Sequence, residues 1–211
     1  RLDGLSQYAM LEPSLEVLIM AQALQTPPYI SAQEYLRLEL SADTKHEYID
    51  GEIHAMAGAS DAHVKVTGNA YALLKNHLRG SGCSTYIADM KLRIGQDEAF
   101  FYPDVMVCCD PSDQLPEQDL VKNSPKLIIE VLSPSTEAHD RGKKFMLYRK
   151  LPSLEEYLLI DPRTYYVELF RKENDIQWSL TATEGAESLL TLNSVGLTCC
   201  LADLYEDVRM A

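Results

Sequence analysis

Two apolar runs of this chain each carry one carboxylate. YPDVMVCC sets Asp104 just ahead of a nearly continuous apolar stretch, and KLIIEVL sets Glu130 inside another. An unpaired charge is costly to bury, so acids in covered strands need a reason. Holding a divalent cation is one. Oxygen ligands suit Mg²⁺, which takes one or two carboxylates and keeps several waters, and a cation so held activates water and stabilises charge on a phosphate. The alternative is two acids at strand ends, paired with Arg93 or Lys126 or solvated. Downstream, DRGKK supplies Asp140, Lys143 and Lys144. Asp140 and Lys144 have the spacing of one helix face. Lys144, Tyr148 and Leu151 lie along one side, which would turn Lys144 toward the sheet, where a lysine positions water or offsets phosphate charge. The competing reading is a surface ion pair worth roughly 0.3–0.5 kcal/mol, and spacing alone favours it.

These residues need elements to hold them. YPDVMVCC and KLIIEVL are expected as strands covered on both faces, with Pro103 at a strand start or edge. If the two strands are neighbours, Asp104 and Glu130 converge at one end of the sheet. A helix is expected after Ser133-Pro134, capped by Ser135 or Thr136. Upstream, SAQE is a capping box with Ser31 as N-cap. HEYIDGEIHAMA reads as two short extended pieces around an Asp50-Gly51 turn, with Glu47 just before it. Ser60 to Gly80 carries one apolar stripe, Val66, Ala70, Leu73, Leu74 and Leu78, so it is the clearest helix. His63 lies in its first turn. CSTYIADMKLRI alternates in part, and EEYLLID and TYYVELFRK make further strands. The tail gives a weak hairpin at IQWSL, the run SLLTL and a short helix near Leu201 to Val208. Helices interleaved with covered strands indicate an α/β or α+β sheet.

Composition bounds the function. The chain has 211 residues, 32 acidic against 19 basic, and a formal net charge of −13. One domain is expected from residue 26 to 211, with 1–25 either an extension, Met20 lying near the natural start, or a real N-terminal helix. The acidic balance argues against a broad phosphate-binding surface. No segment approaches the roughly 20 apolar residues of a membrane span. The 5 cysteines show no CxxC spacing, which disfavours zinc, and all are expected as reduced thiols of a cytoplasmic protein. No Gly-rich phosphate loop is present.

Several motifs in order, YPDV, EVLSPST, DRGKK and LPSLEEYLLIDP, resemble the Uma-type restriction endonuclease family of the PD-(D/E)xK nuclease superfamily. The likeness runs from about Tyr29 to Tyr205 and includes HEYIDGEIHAMAG, the His63 helix and LADLYE. It implies a restriction-endonuclease-like mixed β-sheet flanked by α-helices and a metal-dependent endonuclease using Mg²⁺ (or Mn²⁺) on DNA. By the same resemblance, Asp104 and Glu130 are the metal-binding acids and the Val131 main chain completes the shell. Glu47 matches an early helix glutamate of the superfamily. The superfamily lysine usually stands two residues after the second acid, where this chain has Leu132. The resemblance implies a lysine recruited from the next helix, Lys144, with Lys143 as second choice. His63, Lys91 and Lys143 are candidate substrate contacts, against structural or solvated roles for His63 and Lys91. Tyr102 and Tyr148 are expected to pack. A non-catalytic nucleic-acid-binding or assembly protein on the same fold is the alternative, and a homodimer suits either reading.

Overall fold

The computed structural model describes residues 29–210; the expected extension, residues 1–25 with Met20, lies outside them. Helix α1 (Ala32–Glu39) begins where the capping box places it, with Ser31 Oγ accepting from the Glu34 N–H at 3.2 Å. Strands β1 (His46–Ile49) and β2 (Glu52–Ala55) then form the expected hairpin. Asp50 and Gly51 both have positive φ, 45° and 92°, the geometry of a type I′ turn. Helix α2 (Asp61–His77) is capped by Ser60, whose Oγ accepts from the His63 N–H at 3.2 Å.

CSTYIADMKLRI does not continue as one strand. It breaks at Ala88 (φ 48°) into β3 (Ser84–Ile87) and β4 (Lys91–Ile94), which join different sheets. Strands β5 (Ala99–Phe101), β6 (Val105–Cys108), β7 (Val121–Lys122) and β8 (Pro125–Val131) follow. Next comes a helical run in three parts: α3 (Glu137–His139), a π-helical turn (Asp140–Lys144) and α4 (Phe145–Tyr148). Thr136 is the N-cap of α3, one of the two residues expected, though its side chain makes no cap hydrogen bond; Ser133 Oγ accepts from the Thr136 N–H at 3.3 Å. The chain closes with β9 (Glu156–Asp161), β10 (Tyr166–Lys172), β11 (Trp178–Glu184), β12 (Leu189–Leu192), β13 (Leu197–Cys200) and a short α5 (Leu201–Leu204). The IQWSL hairpin is stronger than expected: β11 pairs with β10 from Trp178 to Glu184.

The central sheet has the order β11-β10-β9-β8-β6-β3; a second has the order β2-β1-β5-β4-β7, and β12-β13 form a ribbon. Most pairs are antiparallel, but β8-β9 and β4-β7 are parallel. The fold is therefore a mixed α/β sheet with flanking helices. One face of the central sheet, through Val105, Val107, Leu127, Ile129 and Leu158, packs on the α2 stripe of Val66, Ala70 and Leu74. The other face, through Met106, Cys108, Ile128 and Leu159, packs on the second sheet and on Leu147 and Tyr148. A fully buried side chain of this size contributes about 1.5–3 kcal/mol, so both faces fix the sheet firmly.

Two expectations are corrected here. The cysteines are not all thiols: Cys83 and Cys109 form a disulfide, with Cα atoms 4.1 Å apart. Ser84 pairs with Cys108 across β3 and β6, so the next residues outward face each other. Cys108, Cys199 and Cys200 are free. Lys91 is not a surface lysine: it is 7% exposed, with Nζ 5.0 Å from the Tyr35 ring and 5.6 Å from the Tyr102 ring. Among the described residues no helix is long and apolar enough to cross a membrane.

Candidate active site

Strands β6 and β8 are antiparallel neighbours with Val105 opposite Ile129. Side chains alternate along a strand, so Asp104 projects to the side of Met106, and Glu130 to the side of Ile128. Both carboxylates therefore leave the same face, at the end where β6 enters from β5 and β8 exits toward the Ser133 turn. They are tied through the main chain. The Val131 N–H donates to Asp104 Oδ2 at 2.7 Å, and the Asp104 N–H donates to Glu130 Oε2 at 3.3 Å.

Lys144 reaches this point from the π turn. Its Nζ lies 3.1 Å from Glu130 Oε1, 2.9 Å from Glu47 Oε1 and 3.5 Å from Asp140 Oδ1. The π turn adds a residue to the helical pitch, a feature that often marks functional sites, and it buries both Asp140 and Lys144. The surface ion pair is thus excluded: Lys144 is 6% exposed and Asp140 2%. Leu132, at the usual lysine position, is 2% exposed in the core. Lys144 occupies the space beside Glu130 instead. Glu47 belongs to this group, but it stands on strand β1, not on a helix.

His63 joins from α2, with Nε2 3.3 Å from Asp104 Oδ2. Burial disfavours its charged form, but Asp104 and the Val131 main chain outweigh this and raise its pKa. Lys143 is exposed and lines the same cavity as His63, Asp104, Glu130 and Lys144. Lys91 does not line it. Two residues expected only to pack do more. The Tyr148 hydroxyl donates to Glu130 Oε1 at 2.8 Å, and Tyr102 lines the cavity while donating to Glu39 Oε1 at 2.9 Å. The Tyr157 hydroxyl, not singled out in the sequence, donates to the Asp140 carbonyl at 3.1 Å. No spacing rule reveals such contacts, because the tyrosines lie on other elements.

Four carboxylates meet one ammonium and one imidazole here. Burial pushes the Glu130 carboxyl up to about 8, against the pull of Lys144 and with Asp104, Asp140 and Glu47 adding repulsion. Asp140 is raised for the same first reason. Lys144 is held above the ordinary lysine range, because Glu130, Glu47 and Asp140 outweigh its own burial. Glu47 Oε1 and Asp140 Oδ1 are buried and accept no well-aligned hydrogen bond. Such a surplus of buried negative charge, all on oxygen, fits a hard divalent cation. Among the described residues no three acidic, imidazole or thiol side chains converge as a ready cage. A site with two carboxylates and a main-chain group would be of the sparse kind that leaves room for water.

The sequence model of the Uma2 family, whose description is "Putative restriction endonuclease", matches residues 32–202. Two Synechocystis proteins described as uncharacterized are similar: one is 40% identical over 84% of this chain and 92% of its own length. The other is 41% identical over 76% of this chain and 90% of its own length. A crystal structure from Anabaena variabilis, described as a putative nuclease of the DUF820 family, superposes with a TM-score of 0.69. It is 18% identical and covers 84% of this chain and 98% of its own.

Proposed function

The chain belongs to the Uma2 family, and from that premise we propose that it is a metal-dependent endonuclease that hydrolyses DNA phosphodiester bonds. The observation that carries this reading is the reach of Lys144 from the π turn to Glu130, which supplies the cation that Leu132 cannot. Asp104 and Glu130 would hold Mg²⁺ or Mn²⁺, with the Val131 main chain completing the shell. When bound, the cation supplies Lewis acidity that activates water and stabilises phosphate charge.

The chain's own groups divide the remaining work. Lys144 stays protonated, so it does not act as a base; it offsets charge developing on the phosphate and orients water. Glu47 and Asp140 fix the ammonium from two sides. Tyr148 fixes the Glu130 carboxylate, and His63 fixes Asp104 from the helix side. Lys143 at the rim is a phosphate contact. A cytoplasmic protein working as a homodimer is compatible with this proposal and is not needed by it.

The test is a cleavage assay on single-stranded, duplex and branched DNA with Mg²⁺ or Mn²⁺. Cleavage is expected for the wild type and lost in Asp104→Ala and Glu130→Ala proteins that keep their circular dichroism. Absence of cleavage from every substrate would instead favour a non-catalytic binding protein, the reading that Leu132 alone would suggest.

A further inference from the structure

The cavity above the carboxylates encloses about 660 Å³. That is within the ~300–1,000 Å³ of pockets that enclose a drug-sized ligand, the scale of one or two nucleotides rather than of a duplex. Its walls differ. One is apolar and open: Met56, Val64 and Ile87 line it at 36%, 59% and 38% exposure. The stretch Ala57-Gly58-Ala59 between β2 and α2 continues this wall with side chains too small to fill it. The same cavity is also lined by Ser133, Ser135 and Thr136, whose hydroxyls hydrogen-bond to one another (Ser133 Oγ to Ser135 Oγ, 3.1 Å; to Thr136 Oγ1, 2.9 Å).

Among the described residues, the rim is poor in free positive charge. Lys65, next to Val64, is paired with Asp61 at 2.9 Å, and Lys45, whose carbonyl anchors the Met56 N–H, is paired with Asp89 at 3.0 Å. Intact duplex is bound chiefly by neutralising several phosphates, and the rim offers little for that beyond Lys143. Apolar lining and hydroxyls in one cavity offer what an unpaired base needs: a surface to pack its face on and polar groups for its edge.

We propose that this cavity takes an unpaired nucleotide, with its base on the Met56–Val64–Ile87 wall, so that the substrate is single-stranded or locally melted DNA and not intact duplex. The substrate class rests on the nuclease reading above; the binding preference does not. A base seated on that wall beside Ser133 brings its own phosphate toward Lys143 and the carboxylate floor. Base identity is read weakly, because wall packing is tolerant of sequence.

The probes are fluorescein-labelled dT12 and a 12-base-pair blunt duplex, followed by anisotropy in metal-free buffer. dT12 is expected to bind at least about tenfold tighter than the duplex, the scale of one stacked base. With only one or two phosphates neutralised, log K should fall with log salt at a slope of roughly −0.7 to −1.4. Met56→Asp and Ile87→Asp, at exposed positions, should each weaken dT12 binding about fivefold or more with an unchanged melting temperature. Equal or tighter duplex binding, or dT12 binding untouched by both substitutions, overturns the proposal. If dT12 is preferred but no DNA is cut with Mg²⁺ or Mn²⁺, the nuclease reading fails and the binding preference stands. If duplex is cut as fast as a strand or a bubble, the preference fails and the nuclease reading stands.

Discussion

Glu130 and Glu156 lie on adjacent parallel strands, and both are buried, at 3% and 1% exposure. Their surroundings are opposite in kind. Glu156 is enclosed by partners that the fold supplies: Arg171 Nε at 2.9 Å, the Asn193 N–H at 3.1 Å, and the Ser194 N–H and hydroxyl. Both of its oxygens are satisfied, and it clamps the start of β9 to the loop after β12. Glu130 has hydrogen bonds to both oxygens as well, but it borders a cavity and shares its one ammonium with Glu47 and Asp140, which keep unpartnered buried oxygens. A buried carboxylate is therefore no sign of chemistry in itself. The sign is a buried carboxylate whose compensation the protein leaves incomplete beside open space.

That contrast can be broken by exchange of effects. The largest expected effect is in Glu156→Ala, which leaves the Asn193 and Ser194 N–H groups without an acceptor and the half-buried Arg171 without its carboxylate; each orphaned donor should cost about 1–3 kcal/mol of stability. It is read as the loss of midpoint in urea unfolding, with activity per folded molecule retained. Glu130→Ala should do the reverse, removing cleavage while leaving the urea midpoint near the wild-type value or above it. Lys144→Met comes next. It should lower kcat by roughly 10²–10³, the scale of losing one charge-stabilising donor, and it should also destabilise the fold, since Glu47, Glu130 and Asp140 lose their shared cation. Lys143→Met, at the exposed rim, should change KM more than kcat and leave stability alone.

A subtler expectation concerns pH. The Glu130 carboxyl is raised from 4.5 to about 8 in the fold. The native state then holds a proton that the unfolded chain has released between these values. Stability of the metal-free protein should fall as pH rises through that window. Glu130→Gln removes the titration, so its melting temperature in chelator should decline less from pH 5 to pH 8 than the wild type's. A small effect on stability is expected in Tyr148→Phe, which loses one hydrogen bond to the protonated Glu130 carboxyl worth about 0.5–1.5 kcal/mol and leaves the metal-binding oxygens in place. A wild-type slope in Glu130→Gln would erase the distinction between the two glutamates.

Much of this site was legible in the chain because its main parts sit in strands with strong patterns. The apolar runs around Asp104 and Glu130 marked both as covered strands, while their pairing was conditional in the sequence and is given by the register of Val105 opposite Ile129. The turn at Asp50-Gly51 and the caps at Ser31 and Ser60 were equally local. What stayed hidden depends on distance in sequence. Ala88 takes a positive φ without the usual glycine signal, so the break between β3 and β4 went unseen. The Cys83–Cys109 bond follows from cross-strand register, and the burial of Lys91 from two tyrosines on other elements. The direction of Lys144 was undecided because the π turn, which rotates it inward, has no sequence signature of its own.

The most direct measurement is calorimetric titration of Mn²⁺ into the chelator-washed wild type, Glu130→Gln and Glu156→Gln proteins, each shown to be folded by circular dichroism. The account predicts saturable binding in the wild type, retained in Glu156→Gln and abolished in Glu130→Gln. No binding in the wild type, or binding that survives Glu130→Gln unchanged, would contradict it.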